Sequence, residues 1–171
     1  MRLTPVALAA AIVAGTMASA GHTQRPDDQL NARSAALSRD AEAALTAGRH
    51  ADATDLFETA LAVDPRNRAA YLGLARVAQA QRLPGKAIRL YQDALTIEPN
   101  DVNALAGQGE AYVQRGAVDR AKRNLTRVQE ICGRPCPQAT QLAGVIQRGP
   151  PVTTAEGPTA TPPQPAPPRP N

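Results

Sequence analysis

Aromatic side chains are nearly missing from this chain of 171 residues, which has no tryptophan, one phenylalanine and three tyrosines. Single-stranded nucleic acid is held by bases stacking on rings inside a basic groove, and so few rings cannot line one. Charge points the same way. The formal net charge of +4 is a slight excess. Arg66, Arg68, Arg82, Lys86, Arg89, Arg115, Arg120, Lys122 and Arg123 are interspersed with acids, the pattern of a solvated face, so no nucleic-acid partner is expected. Cysteine and histidine are as scarce, with two of each. Cys132 and Cys136 lie far in sequence from His22 and His50 and make no recognisable ligand set, so no metal or cofactor is expected. No serine sits in a G-x-S-x-G elbow and no glycine run forms a phosphate loop. Gly107-Gln108-Gly109 reads as a helix-packing feature. His50, at a turn beside Asp52 and Asp55, reads as a solvated surface group and not a general base. The chain is expected not to be an enzyme.

Long hydrophobic runs are also lacking. The apolar stretch Val6 to Val13 is shorter than the roughly 20 residues that span a bilayer, so it reads as the core of a signal peptide. Arg2 gives the positive start and Ala18-Ser19-Ala20 the small-x-small cleavage form. Residues 1–20 are expected to leave after a cut at Ala20, with no stable membrane span afterwards, and no cysteine follows to carry a lipid. Export would place the mature chain in the periplasm or outside the cell, where thiols oxidise. There the first reading of Cys132 and Cys136 is one structural disulfide closing the turn between them. The alternative is a redox-active pair. That needs a lowered thiol pKa and normally C-x-x-C spacing at a helix start, and the spacing here is C-x-x-x-C without a βαβ context.

What the chain does have is a period. Leu37, Ala53, Phe57, Ala60 and Pro65 each stand 34 residues before Tyr71, Ala87, Tyr91, Ala94 and Pro99. That spacing is the size of one helix-turn-helix hairpin in a solenoid. After a leader over 21–33, in which Asp27 or Asp28 offers an N-cap, apolar residues at Leu30, Leu37, Ala41, Ala44 and Leu45 mark an amphipathic helix. Gly48-Arg49-His50 ends it. A second helix carries Ala53, Leu56, Phe57, Ala60, Leu61 and Val63, and Pro65 stops it by disfavouring helical geometry at Asp64. The pattern returns over 68–101, and in weaker form over 102–133, where Leu125 replaces the aromatic, Val128 the alanine, and the proline has slipped to Pro135. With the first repeat at 34–67, the three copies reach the minimum for a stable array. Ala139, Leu142, Ala143 and Ile146 form an apolar stripe within 134–148, expected to be a helix that covers the open end of the array. From residue 149 to 171 there are nine prolines, the composition of an extended, solvated tail.

The period, the alanine-aromatic-alanine-proline pattern of the second helices and the turn glycines resemble the tetratricopeptide repeat family, over Ser34 to about Gly133. The resemblance implies an all-α, right-handed superhelical solenoid whose first helices line a concave groove for an extended peptide or a partner helix. Carried over by the repeat alignment, the groove candidates are Ser38, Glu42 and Leu45, then Ala69, Leu72, Arg76 and Gln79, then Asn103, Ala106, Glu110 and Gln114. The lysine and asparagine set by which some family members clamp a C-terminal carboxylate is missing, since Ser38, Glu42, Gly73, Asn103 and Gly107 occupy those places. By resemblance, the expected task is that of an exported, non-catalytic adaptor for a protein or peptide in envelope assembly, secretion, pilus biogenesis or cytochrome maturation. Self-association through an empty groove is a further expectation. The rival is a thiol-dependent oxidoreductase or cytochrome-maturation accessory using Cys132 and Cys136.

Overall fold

Asn31, Asn67 and Asp101 each open a helix by turning a side-chain oxygen onto the unpaired N–H groups of its first turn. Asn31 Oδ1 accepts from Arg33 N at 2.9 Å, Asn67 Oδ1 from Ala70 N at 3.2 Å, and Asp101 Oδ1 from Asn103 N at 2.7 Å. The helices so opened are α1 (Ala32–Thr46), α3 (Arg68–Ala80) and α5 (Val102–Gln114). Each is followed by a partner whose start has no side-chain cap: α2 (His50–Val63), α4 (Pro84–Ile97) and α6 (Val118–Cys132). The last helix is α7 (Pro137–Arg148). This computed structural model describes residues 30–151, and among them there is no strand. The expected signal peptide, the leader before residue 30 and the tail beyond residue 151 lie outside the described residues. The cap of α1 is Asn31 and not Asp27 or Asp28. Asn31 is held from the far end of the same hairpin as well, because its own N–H donates to Asp64 Oδ2 at 3.0 Å.

The three turns within the hairpins share one hydrogen bond. Arg49 N donates to Ala44 O at 2.9 Å, Leu83 N to Ala78 O at 2.8 Å, and Ala117 N to Tyr112 O at 2.8 Å. This long-span closure of a helix end requires a left-handed residue just before the donor. Gly48 (φ 75°) and Gly116 (φ 79°) supply it, and Arg82 (φ 57°) does so without being glycine. At the opposite ends, Asp64 and Glu98 are extended, as the residue before a proline prefers.

Layering follows from which helices touch. α1, α3, α5 and α7 contact one another in sequence, whereas α2, α4 and α6 contact only the inner helices on either side of them. An inner layer packed throughout and an outer layer splayed apart make a curved solenoid with the odd-numbered helices on its concave side. Small residues permit the close inner approach: Ala41, Ala53, Ala60, Ala75, Ala87, Ala94 and Ala121 are fully buried. Aromatic rings fill what they leave. The Phe57 ring of α2 occupies the space that a Cβ on Gly73 of α3 would need, and the Tyr91 ring of α4 does the same at Gly107 of α5. At the end of the array the roles reverse, with Leu142 of α7 pressed against Gly109 of α5.

Arg82 bears a conformational cost that Gly48 and Gly116 do not. A left-handed non-glycine residue costs about 1–2 kcal/mol, partly offset by the greater chain entropy glycine loses on folding. Arg82→Gly is therefore expected to stabilise the fold by about 0.5–1 kcal/mol and to raise Tm by roughly 2–5 °C, as read by thermal melting followed by circular dichroism. A lower Tm would show that the Arg82 side chain makes a stabilising contact that outweighs the strain.

Candidate functional site

Glu42, Arg76 and Glu110 occupy the same place in successive inner helices, 34 residues apart, and so form a charged row across the concave face. Arg76 grips Glu42 as a fork, Nη1 to Oε1 at 2.7 Å and Nη2 to Oε2 at 2.5 Å. Both side chains are nearly half exposed (47% and 43%), so the pair contributes below about 1 kcal/mol to stability. Its effect is to fix where Arg76 points. Glu110 is bound differently: it accepts from Gln141 Nε2 of α7 at 2.7 Å. Burial pushes the Glu110 carboxyl above its ordinary pKa, and the Gln141 hydrogen bond and the Arg148 charge pull it partly back.

Between these groups lies a cavity of about 430 Å³. Leu72, Arg76 and Gln79 of α3 form one wall, Asn103, Ala106, Gly107 and Glu110 of α5 the floor, and Gln138 and Gln141 of α7 the other wall. Tyr91 reaches it from the outer layer, because Gly107 has no side chain to block the ring. Its Oη donates to Gln79 Oε1 at 2.6 Å, and Gln79 Nε2 donates to Gly107 O at 3.4 Å. Burial raises the Tyr91 pKa well above the ordinary phenol value, against the opposing pull of Arg76, so the hydroxyl stays a neutral donor. Gln138 Nε2 donates to Asn103 Oδ1 at 3.1 Å across the α5–α7 gap. Each carboxamide keeps donors or acceptors beyond these bonds. The site therefore offers amide groups that match a peptide backbone, an apolar strip from Leu72 and Ala106, and one charge of each sign.

Of the residues carried over from the repeat alignment, Leu72, Arg76, Gln79, Asn103, Ala106 and Glu110 line this cavity, with Ala106 mostly covered as its floor. Glu42 stands outside it, held to Arg76. Ala69 and Gln114 are exposed on α3 and α5 but do not line the cavity. Leu45 is half-buried against the first-repeat core. Ser38 does not face the groove as the alignment implies. It is buried, and its Oγ accepts from Asn67 Nδ2 at 2.8 Å beside Ser34 Oγ at 2.7 Å. The buried Asn67 amide needs those partners, so both serines turn toward α3.

Tyr91, Gly107, Gln138 and Gln141 line the cavity and were not among the expected residues. The available signal was the spacing of Phe57 to Gly73 and of Tyr91 to Gly107, 16 residues in both repeats. Elsewhere, Cys132 and Cys136 are in disulfide contact with Cα atoms 5.9 Å apart. Cys136 is buried as the N-cap of α7, where its sulfur accepts from Ala139 N at 3.4 Å. His50 is half-buried at the start of α2 and its Nδ1 has no hydrogen-bond partner among the described residues, unlike the solvated group expected. Among the described residues no group of three or more His, Cys, Asp or Glu could hold a metal ion, and no helix is long and apolar enough to cross a membrane.

The comparisons with known proteins agree with this architecture. A tetratricopeptide repeat profile matches residues 39–102 and 74–121. Among solved structures, the chain is similar to the TPR domain of Sgt2 from Aspergillus fumigatus, at 21% identity and a TM-score of 0.64, over 69% of this chain and 79% of that one. It is also similar to the Yersinia enterocolitica type III secretion chaperone SycD in complex with a peptide of the translocator YopD, at 20% identity and a TM-score of 0.61, over 67% and 89% of the two chains. A third is the first TPR of Spaghetti (RPAP3) bound to the HSP90 peptide SRMEEVD, at 19% identity and a TM-score of 0.62, over 68% and 92%. No curated protein sequence matches the chain. Residues 39–121 carry tetratricopeptide repeats, and the fold is a helical-repeat scaffold.

Burial makes Glu110 bind its proton more tightly in the folded chain than in the unfolded one. Its ionisation therefore weakens the fold as pH rises through the raised pKa. Glu110→Gln is expected to have the higher Tm at about pH 7, and the difference should vanish well below the ordinary glutamate pKa of about 4.3. Melting curves of both proteins across that range test it, and an equal or lower Tm at neutral pH would overturn the assignment.

Proposed function

We propose that this protein is an exported, non-catalytic adaptor that holds an extended peptide or a partner helix on its concave face. One observation carries the reading: a cavity between three inner helices combines an apolar strip from Leu72 and Ala106 with the carboxamides of Gln79, Asn103, Gln138 and Gln141. Carboxamides pair with peptide N–H and C=O groups of any sequence, and the strip takes an apolar side chain of the ligand. Two of the similar structures named above hold peptides. Here Glu42 and Glu110 lie along the face, with Arg76 engaged by Glu42, so a mixed polar and apolar ligand suits it better than an acidic C-terminus. The signal-like residues 1–20 and the Cys132–Cys136 pair support a periplasmic or secreted location, and with it a role in envelope assembly, secretion or maturation.

The test is photocrosslinking in the envelope fraction. A photoreactive residue at Leu72 is expected to capture a partner that the same residue at Arg89, exposed on the outer helix α4, does not. Equal capture from both positions would sink the groove reading. The cysteines give an independent check. In a Cys132→Ser, Cys136→Ser variant, loss of so short a loop closure should cost about 2 kcal/mol of stability and leave capture at Leu72 intact. Loss of partner capture in a variant that still folds would favour a thiol-dependent role.

A further inference from the structure

The turn that joins α5 to α6 lies against the start of α4, because Arg115 extends its Nη1 to 3.3 Å from where a Cβ on Gly85 would stand. Positive charge gathers there. Residues 82–90 hold three basic side chains and residues 115–123 hold four, against one acid, Asp119. That acid faces Lys122 at 3.7 Å. Arg82, Lys86, Arg115 and Arg120 have no ion pair among the described residues. In sequence these groups are scattered among acids, and folding brings them to one edge. The turn of the first hairpin lacks this excess, since Arg49 there is bound to Asp52 at 3.1 Å. Arg115 and Arg120 border a cavity of about 340 Å³ whose other lining residues are Ile88, Tyr112 and Ala117, none of them acidic. The Arg120 guanidinium lies over the Tyr112 ring, 5.6 Å from its centroid, which holds it at the cavity wall.

We propose that this edge docks on an anionic lipid surface, with Arg115 and Arg120 taking a phosphate headgroup between them and Leu83 entering the apolar boundary. Guanidinium groups match phosphate oxygens in geometry as well as charge. Leu83 supplies the second element. It stands at the tip of the turn between α3 and α4 and is 47% exposed, more than any other large hydrophobic side chain among the described residues. Arg82 beside it holds φ 57° at the place where Gly48 and Gly116 stand one repeat before and after. Glycine would form that turn at lower conformational cost, and backbone strain of this kind gathers at functional positions. An apolar tip ringed by cations fits the edge of a bilayer, where headgroup phosphates lie just above the acyl chains. An acidic protein surface would answer the charges and leave Leu83 in a polar contact. The docking is peripheral, since no described helix is long and apolar enough to cross a membrane.

Vesicle co-sedimentation of the full chain tests this, read as the ratio of binding to phosphatidylglycerol vesicles over phosphatidylcholine vesicles. The ratio cancels any pull of the apolar residues 6–13, which neutral lipid feels as well. An Arg115→Glu, Arg120→Glu variant is expected to lower the ratio by about 30-fold or more, from the loss of two cations near an anionic surface. Arg33→Glu, Arg39→Glu changes the net charge equally at exposed positions on α1 and should lower it by less than about three-fold, the small effect of charges held away from the surface. Leu83→Ser, which changes no charge, should weaken binding to phosphatidylglycerol vesicles by about three- to ten-fold through the lost apolar contact. Melting curves establish that each variant is folded. Equal losses in the two arginine pairs would show that net charge alone draws the chain to lipid, and would overturn the proposal. A wild-type ratio near one would also overturn it and assign the edge to an acidic protein partner.

Discussion

Phe57 standing over Gly73, and Tyr91 over Gly107, are the contacts on which the array depends. Each joins the outer helix of one hairpin to the inner helix of the next, at a place where a Cβ could not fit. A ring needs this hole, and a helix pays for the glycine that makes it with about 1 kcal/mol of helix propensity. The return is a large apolar side chain fully buried between repeats, worth roughly 2–3 kcal/mol. The alanines around it follow from the same demand: once the ring sets the separation, any larger residue at Ala60, Ala75 or Ala94 would push the helices apart.

The junction at the end of the array shows what happens when this contact is not available. Leu125 stands in the aromatic position of the third repeat, and α7 carries the large residue instead, with Leu142 buried on Gly109. Here the large residue joins two inner helices, α7 and α5, and α7 also brings Gln138 and Gln141 to the groove. Polar groups hold α7 in place. Gln138 donates to Asn103 and Gln141 to Glu110, so the last helix is both the cover of the array and a wall of its candidate site.

Buried polar residues give the fold its discrimination between registers. Asn67 is fully buried, caps α3 through its oxygen, and donates through its nitrogen to Ser34 and Ser38 of α1. Asp101 in the next repeat caps α5 and pairs with Arg68. Slipping one hairpin against the next would strand these groups without partners, at about 1–3 kcal/mol each. Apolar packing of alanines alone would not punish such a slip as sharply.

Much of the architecture was legible in the sequence because a solenoid repeat touches only its neighbours, so that local chemistry is repeated at a fixed interval. The alanine, aromatic and proline spacing reports contacts that recur one period later, the glycines at 48 and 116 report a turn that recurs two periods later, and the stripe in α7 reports the face that packs on α5 and α6. The cap of α1 escapes the local pattern because Asn31 is held by Asp64 at the far end of the same hairpin, 33 residues away in sequence. Ser38 was assigned to the groove because alignment gives a residue its row but not its neighbours, and the buried Asn67 amide drew it inward. Tyr91 was legible only as packing. Its hydroxyl enters the candidate site because Gly107, on another helix, leaves the space open. The period of the chain thus determined the hairpins and their stacking, which depend on contacts repeated in sequence. The composition of the cavity was decided by tertiary structure alone, since it depends on which side chains from four different helices find room at one point.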